Sequence, residues 1–470
     1  MERFGMRIKM HFLLLGLLLV AGAFSQETPE KIPFTLSTAI KTAREQNPIG
    51  RAADFDVEKA SMNIKQAIIR KYLPIMDFKF QTGLVPAAKG DIFSSPDKQT
   101  DLDDLGPFFK LDLEFIQPLY TFGKATSAVR AAREGFHAEE SRKDLLLEEL
   151  SFRVVQAYWA LASAQKVELL ATDSQESYQL LLSEVQKRVD DEESDVDDAD
   201  LLEAKSLHFD VERIKQESIE RMALARTAFN TLLYLDPKEE VSTATEPSPS
   251  FSPGEGLLEK LIVMAEKTRP DIQGLNAAAR AIEAKLAIAK SQRFPNIFLF
   301  AGLNYAYASN RQDQTNPFAV DNFNYRSIGV GLGLRWNPNI FQHNVEIHKS
   351  RAEYNATMER MRSLKNNIRL EVTEAFIKAQ KDFNLLKAAR QSLRSTKTWL
   401  RVSYDNWEMG IGESWRLIRA YEAYYRMRSL EIEREYAFNV SLAKLGNILG
   451  DIDSYVRWVQ NGRITIDETN

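Results

Sequence analysis

The chain contains no cysteine. That excludes disulfides, thiolate metal sites, a cysteine nucleophile and any lipid anchor carried on cysteine. Histidine is scarce, with five in 470 residues. His343 and His348 lack the HExxH pattern of a zinc helix, and His137 and His208 stand alone in helical stretches. No Ser-His-Asp or paired-carboxylate constellation stands out, so neither an enzyme nor a cofactor is expected. A basic surplus is missing too: 61 Lys and Arg face 66 Asp and Glu, a net charge of −5, which argues against a nucleic-acid partner. Long apolar runs are confined to the N-terminus, where Arg3, Arg7 and Lys9 precede Phe12 to Val20 and Ala23-Phe24-Ser25 supplies small residues. This is the anatomy of a secretory signal peptide over residues 1–25. The run is too short to span a bilayer core of ~30 Å, which takes about 20 residues.

A duplicated plan organises the rest. Asn47-Pro48, Tyr72-Leu73-Pro74, Gln117-Pro118, Ala157-Tyr158-Trp159 and Leu201-Leu202-Glu203-Ala204 mark the first half. Arg269-Pro270, Arg293-Phe294-Pro295, Asn337-Pro338, Ala375-Phe376-Ile377 and Leu417-Ile418-Arg419-Ala420 follow in the second, at a steady offset of roughly 220 residues. The repeats are assigned to residues 26–240 and 257–457. Between them, residues 241–256 are rich in Ser, Thr and Pro and read as a solvated linker. Residues 458–470 are left as a tail.

Each repeat changes its hydrophobic period at its prolines. Neither Pro nor Gly occurs between Phe136 and Asp236 or from Asn339 to Met409. Leu147, Leu150, Val154, Ala157, Leu161 and Ala164 step by threes and fours along one helical seam. A helix from about Phe122 to Lys187 would be ~95–100 Å long at 1.5 Å per residue, and a helix of that length needs bundle partners. The segments after the X-Pro marks have period two instead. Met76, Phe78 and Phe80 alternate with Asp77, Lys79 and Gln81; Phe109, Leu111, Leu113 and Phe115 alternate with Lys110, Asp112 and Glu114. Ile328, Val330, Leu332, Leu334 and Trp336 alternate with Ser327, Gly329, Gly331, Gly333 and Arg335. Ile297 to Tyr307 is strand-like without a clear choice of face. The Gly-x-Gly-x-Gly stretch resembles a phosphate loop only superficially, because it alternates and opens no helix; small inward residues in a crowded barrel explain it better.

Two-faced strands suit either a sheet covering a soluble core or a membrane barrel with apolar side chains toward lipid and charges toward water. Strands of about 9–11 residues, the length that crosses a bilayer at a tilt, favour the barrel. So do aromatics near strand ends (Phe78, Phe80, Phe109, Phe115, Tyr305, Tyr307, Trp336) and long polar connections at Leu84–Pro107 and Ala308–Asn324. Asp77, Lys79, Lys110, Asp112, Glu114 and Arg335 are then the pore-lining candidates. Four strands cannot close a barrel, and an open edge in lipid leaves backbone groups unsatisfied. Three copies would supply twelve.

The expected class is therefore mainly α with a small β part. Long antiparallel helical hairpins form a coiled-coil barrel, four transmembrane strands per chain join a shared twelve-stranded trimeric barrel, and an internal two-fold repeat underlies both. In these marks, and most specifically in Gln117-Pro118-Leu119-Tyr120-Thr121-Phe122-Gly123-Lys124, the mature chain resembles the TolC family of trimeric outer-membrane channels. The resemblance implies a homotrimer in outer-membrane lipid and a helical tunnel reaching into the periplasm. It also implies partnership with a periplasmic adaptor and an inner-membrane pump, the chain being a passive exit duct of an efflux or type I secretion system. A soluble periplasmic scaffold or adaptor is the rival. The resemblance places the tunnel tip at two turns. One is Gly410-Ile411-Gly412-Glu413-Ser414; the other runs from Asp190 and Asp191 to Asp200, with eight acids in eleven residues and no glycine. Where some members carry pore-ringing aspartates after the second turn, this chain has Arg416 and Arg419. Pairs between the acidic turn and these arginines are expected to hold the entrance narrow.

Overall fold

The computed structural model describes residues 32–88, 101–191, 196–313, 318 and 321–464. The signal-peptide assignment lies outside them. A short strand β1 (Ile32–Phe34) leads into α1 (Leu36–Gln46), α2 (Pro48–Tyr72), β2 (Ile75–Ala87), β3 (Asp101–Tyr120), α3 (Lys124–Asp190), α4 (Asp198–Ser206) and α5 (His208–Leu233). After β4 (Val241–Thr243) the plan recurs as α6 (Leu257–Thr268), α7 (Pro270–Ser291), β5 (Asn296–Ala308), β6 (Tyr325–Arg335), α8 (Ile340–Glu408) and α9 (Ser414–Ile448), closed by α10 (Ile452–Asn461). The two halves thus share one order of elements.

The proline-free, glycine-poor stretches become the two longest helices. α3 has 67 residues and α8 has 69, each ~100 Å at 1.5 Å per residue. The seam expected in α3 is buried at Leu150, Val154, Ala157, Leu161 and Ala164. Above the middle, α3 packs on α2 and α7; below it, α5 and α9 take their place. Two of the X-Pro marks start helices. Asn47 caps α2, its Oδ1 accepting from the Ile49 N–H at 3.0 Å while its Nδ2 donates to the Leu232 carbonyl. Pro48 and Pro270 each fill a first helical position, where no N–H is needed.

The main core lies at mid-height. Tyr158, Leu161, Phe229, Leu233, Phe438, Leu442, Tyr455 and Trp458 are wholly enclosed there. Trp159 Nε1–H donates to Tyr455 Oη at 2.7 Å, and the Tyr158 hydroxyl donates to the Ala244 carbonyl at 2.9 Å. Two sequence readings change here. Residues 241–256 are not a solvated linker: Val241–Thr243 pair in parallel with Ile32–Phe34, and Phe251 is buried against Phe376. Ser and Pro richness misled because three apolar anchors, not average composition, tie the segment down. The tail assigned from residue 458 begins inside α10, with Trp458 and Val459 in the core.

The four longer strands form one antiparallel sheet in the order β2-β3-β5-β6. β2 and β3 reach 13 and 20 residues, longer than expected, because pairing continues through Leu84↔Pro107 and Pro86↔Leu105 into what reads as a polar connection. Among the described residues no helix is long and apolar enough to cross a membrane.

Candidate functional site

Register fixes which side chains share a face. Asp77, Glu114, Gly302 and Gly329 form one cross-sheet row; Lys79, Asp112, Asn304 and Ser327 form the next; Gln81, Lys110, Ala306 and Tyr325 the third. These rows line a concavity of about 510 Å³. Inside it Lys79 meets Asp77 at 3.1 Å and Lys110 meets Asp112 at 3.6 Å. Arg335 has the same parity at the far end of β6, its guanidinium 5.4 Å from the Phe298 ring centre. All six pore-lining candidates therefore occupy one face.

The opposite face is apolar. Phe78, Leu113, Leu303 and Ile328 make one row, and Met76, Phe115, Ala301 and Val330 the next. In the single chain Phe78 is 63% exposed, Ile328 84% and Val330 75%. A sheet roofing a soluble core would hide this face; among the described residues no helix covers it. Register also settles β5: Ile297, Leu299, Leu303, Tyr305 and Tyr307 share the apolar face, while Phe298, Phe300 and Asn304 share the polar one.

Aromatics gather at both ends of the sheet. Phe109 stacks on Tyr305 at 5.8 Å and meets Tyr307 at 5.6 Å. At the helical end Phe122 stacks on Phe294 at 5.1 Å, Tyr120 meets Phe122 edge-on, and Trp336 Nε1–H donates to the Arg293 carbonyl. Phe80 and Phe115 differ from expectation, lying further into their strands opposite Leu111 and Met76. Phe122 has φ +47° and Gly123 φ +87°. The stacked ring steadies this left-handed turn from strand into α3, which glycine makes without a Cβ penalty.

Sequence reasoning missed how the glycines of the concave face serve. A Cβ at Gly331 would lie 2.9 Å from the Phe300 ring, and one at Gly333 would lie 2.5 Å from Phe298. The glycines let both rings lie across β6; Phe-x-Phe facing Gly-x-Gly in register was the available signal. It also missed the clasp above the sheet, where the buried Asp321 accepts from Arg311 Nε at 2.7 Å and Arg311 Nη1 reaches the Pro86 carbonyl.

At the far end of the helices the tip residues take local roles. Asp190 Oδ1 accepts from Gln186, and the Asp191 N–H closes the last turn of α3 on Lys187. Asp200 is engaged in a capping box with Asp197, each carboxylate accepting the other's backbone N–H. Gly410 has φ +70°, and a Cβ on Gly412 would sit 2.8 Å from the Trp407 backbone nitrogen, so the second turn needs both glycines. Ser414 is buried and accepts from Trp407 Nε1 at 3.3 Å. Arg416 pairs with Glu413 at 2.7 Å, and Arg419 approaches Glu203 of the first hairpin at 3.9 Å. Both arginines flank the Trp415 ring. Among the described residues, the distances thus pair the two arginines with Glu413 and Glu203 rather than with Asp190, Asp191 or Asp200. A second bridge between hairpins is Arg188, whose guanidinium stands 3.9 Å over Trp407. Above it the Tyr425 hydroxyl bonds to Asp173 and Ser177, and burial pushes its ionisation up.

Residues 261–451 match the family model described as outer membrane efflux protein. No curated protein matches the chain significantly in sequence. Among solved structures, CusC, described in terms of folding and transmembrane channel formation, superposes with a TM-score of 0.72 at 18% identity, over 91% of this chain and 96% of that one. The CmeC outer membrane channel of Campylobacter jejuni gives 0.70 at 14% identity over 95% of both chains. The open state of the Neisseria gonorrhoeae MtrE outer membrane channel gives 0.66 at 17%, covering 88% of this chain and 89% of that one. At these identities the likeness is one of fold. The match to that family model thus covers the second repeat, and the fold shared with outer-membrane channels covers nearly the whole chain.

Proposed function

We propose that the chain is the exit duct of an efflux or secretion system, conducting passively what an inner-membrane pump and a periplasmic adaptor deliver. The observation that carries this is the two-faced sheet: ionic and glycine-floored on its concave side, uncovered and apolar on its convex side, with β2 and β6 as unpaired edges. In hydrocarbon each unpaired backbone group is costly. Pairing the β6 edge of one copy with the β2 edge of the next satisfies both edges, and three copies make a twelve-stranded barrel in the outer membrane. Its convex face meets lipid and its concave face meets water. The long helices continue the wall as a tunnel into the periplasm. Asp190, Asp191, Asp200, Gly410, Gly412, Ser414, Arg416 and Arg419 then lie at its entrance, where adaptor contact and gating belong.

Fractionation tests the duct. A heat-resistant trimer in the outer-membrane extract that forms channels in planar bilayers is the expected result; a freely soluble monomer would refute it and favour the scaffold. For the tip, an exposed ion pair contributes only about 0–1 kcal/mol, so the arginine pairs matter to closure only together. The double variant Arg416→Glu, Arg419→Glu should raise open probability in single-channel recordings. Unchanged conductance and opening would remove these arginines from the gate.

A further inference from the structure

We propose that the concave wall of the sheet holds a transit subsite for planar organic cations, built from Glu114, Phe300, Gly302 and Gly329; it rests on the duct reading above. Of the three acids in the concavity, Asp77 and Asp112 each hold a lysine. Glu114 is exposed and has no ion-pair partner in contact among the described residues, which leaves the concavity one negative charge in excess. Beside it, in the same row, Gly302 and Gly329 present bare backbone, with nothing within 4 Å of the position a Cβ would take at either. Phe300 borders this floor one step along β5, its ring laid toward Gly331 and partly exposed.

From β3 to β6 the floor spans two interstrand steps, about 10 Å. That admits one aromatic ring flat on the glycines, its edge or face against Phe300 and its cationic head at Glu114. A cation near a phenyl face gains from the ring quadrupole, and the carboxylate adds direct attraction. Anions are repelled by the same carboxylate, and aliphatic cations lose the ring contact. Three copies would place three such subsites around the pore, weak enough to release what they guide.

The test records current through the full-length trimer in planar bilayers with benzyltrimethylammonium, tetramethylammonium or benzenesulfonate added. Benzyltrimethylammonium should block at a concentration about threefold lower than tetramethylammonium, and benzenesulfonate should not block. Glu114→Gln should raise the half-blocking concentration about fivefold. Phe300→Leu should erase the preference for the benzyl cation. Gly329→Val, which has room for its side chain but fills the floor, should act like Glu114→Gln and decides the matter if that variant fails to assemble. Equal block by both cations, or by the anion, in a normally conducting wild-type channel would overturn the subsite and leave the duct standing. A protein that forms no channel would overturn both.

Discussion

Neighbouring residues on β6 offer a direct test of sidedness. Val330 lies at the centre of the strand, in the row with Met76, Phe115 and Ala301, and is 75% exposed in the single chain. Ser327 lies three residues away on the other face, opposite Asn304. Were the sheet in water on both sides, arginine at either position would shift stability by about 0.5 kcal/mol or less, as at ordinary exposed sites. With Val330 in hydrocarbon, Val330→Arg costs ~2–4 kcal/mol per copy near the bilayer midplane, while Ser327→Arg on the lumen side stays small. Over three copies that is ~6–12 kcal/mol for the trimer. The assay is the yield of heat-resistant trimer in the outer membrane, together with urea-dependent refolding into lipid vesicles. Val330→Arg should abolish assembly or lower the midpoint strongly, and Ser327→Arg should resemble wild type. Equal behaviour of the two variants would refute the assignment of faces, and the duct with it.

Packing on the lumen side gives another prediction. Gly333→Val should strike the Phe298 ring, which already lies under Arg335, and lower thermal stability by about 1–3 kcal/mol through overpacking. Adding Phe298→Ala should restore most of it, and absence of rescue would separate the two residues. At mid-height Glu148 accepts from the Ile452 N–H at 2.8 Å and from Arg44 at 3.3 Å, yet burial, the largest influence, holds its ionisation above the usual carboxylate range. A raised folded-state value means that folding favours the protonated form. This contribution is therefore greatest at acid pH and is lost as pH rises through the window just above the ordinary carboxylate value. Glu148→Gln should flatten that part of the pH–stability curve while keeping an acceptor for Ile452. Glu148→Ala should cost about 1–3 kcal/mol at neutral pH by orphaning the buried N–H. Calorimetry over pH 4–8 distinguishes them, and an unchanged slope in Glu148→Gln would refute the linkage.

The long helices were legible because nothing interrupts them: a chain without Pro or Gly from Phe136 to Asp236 has few alternatives. Strand faces were legible where charge and grease alternate, as at Met76–Gln81. In β5 the pattern fails because Phe298 and Phe300 face the concave side, where glycines across β6 make room for them. Only register discloses that, since neither strand alone says which residues it opposes. At the tip, the contacts within one chain are mostly local. Asp200 is a helix cap and Arg416 reaches back one turn. Local hydrogen bonds within three or four residues take these groups before distant partners can. Arg188 over Trp407 joins positions more than two hundred residues apart, and no local pattern announces such a meeting.

The hydrogen bond between Trp159 and Tyr455 has a consequence for biogenesis. It spans 296 positions, and the bridge between Ser250 and Arg463 lies nearly at the end of the described chain. The mid-height core is therefore closed by α10, far along the chain from the α3 residues it meets. Contacts of such long sequence separation slow folding and prolong aggregation risk. Removing α10 would thus open the core that joins α3 to α9 at their common middle.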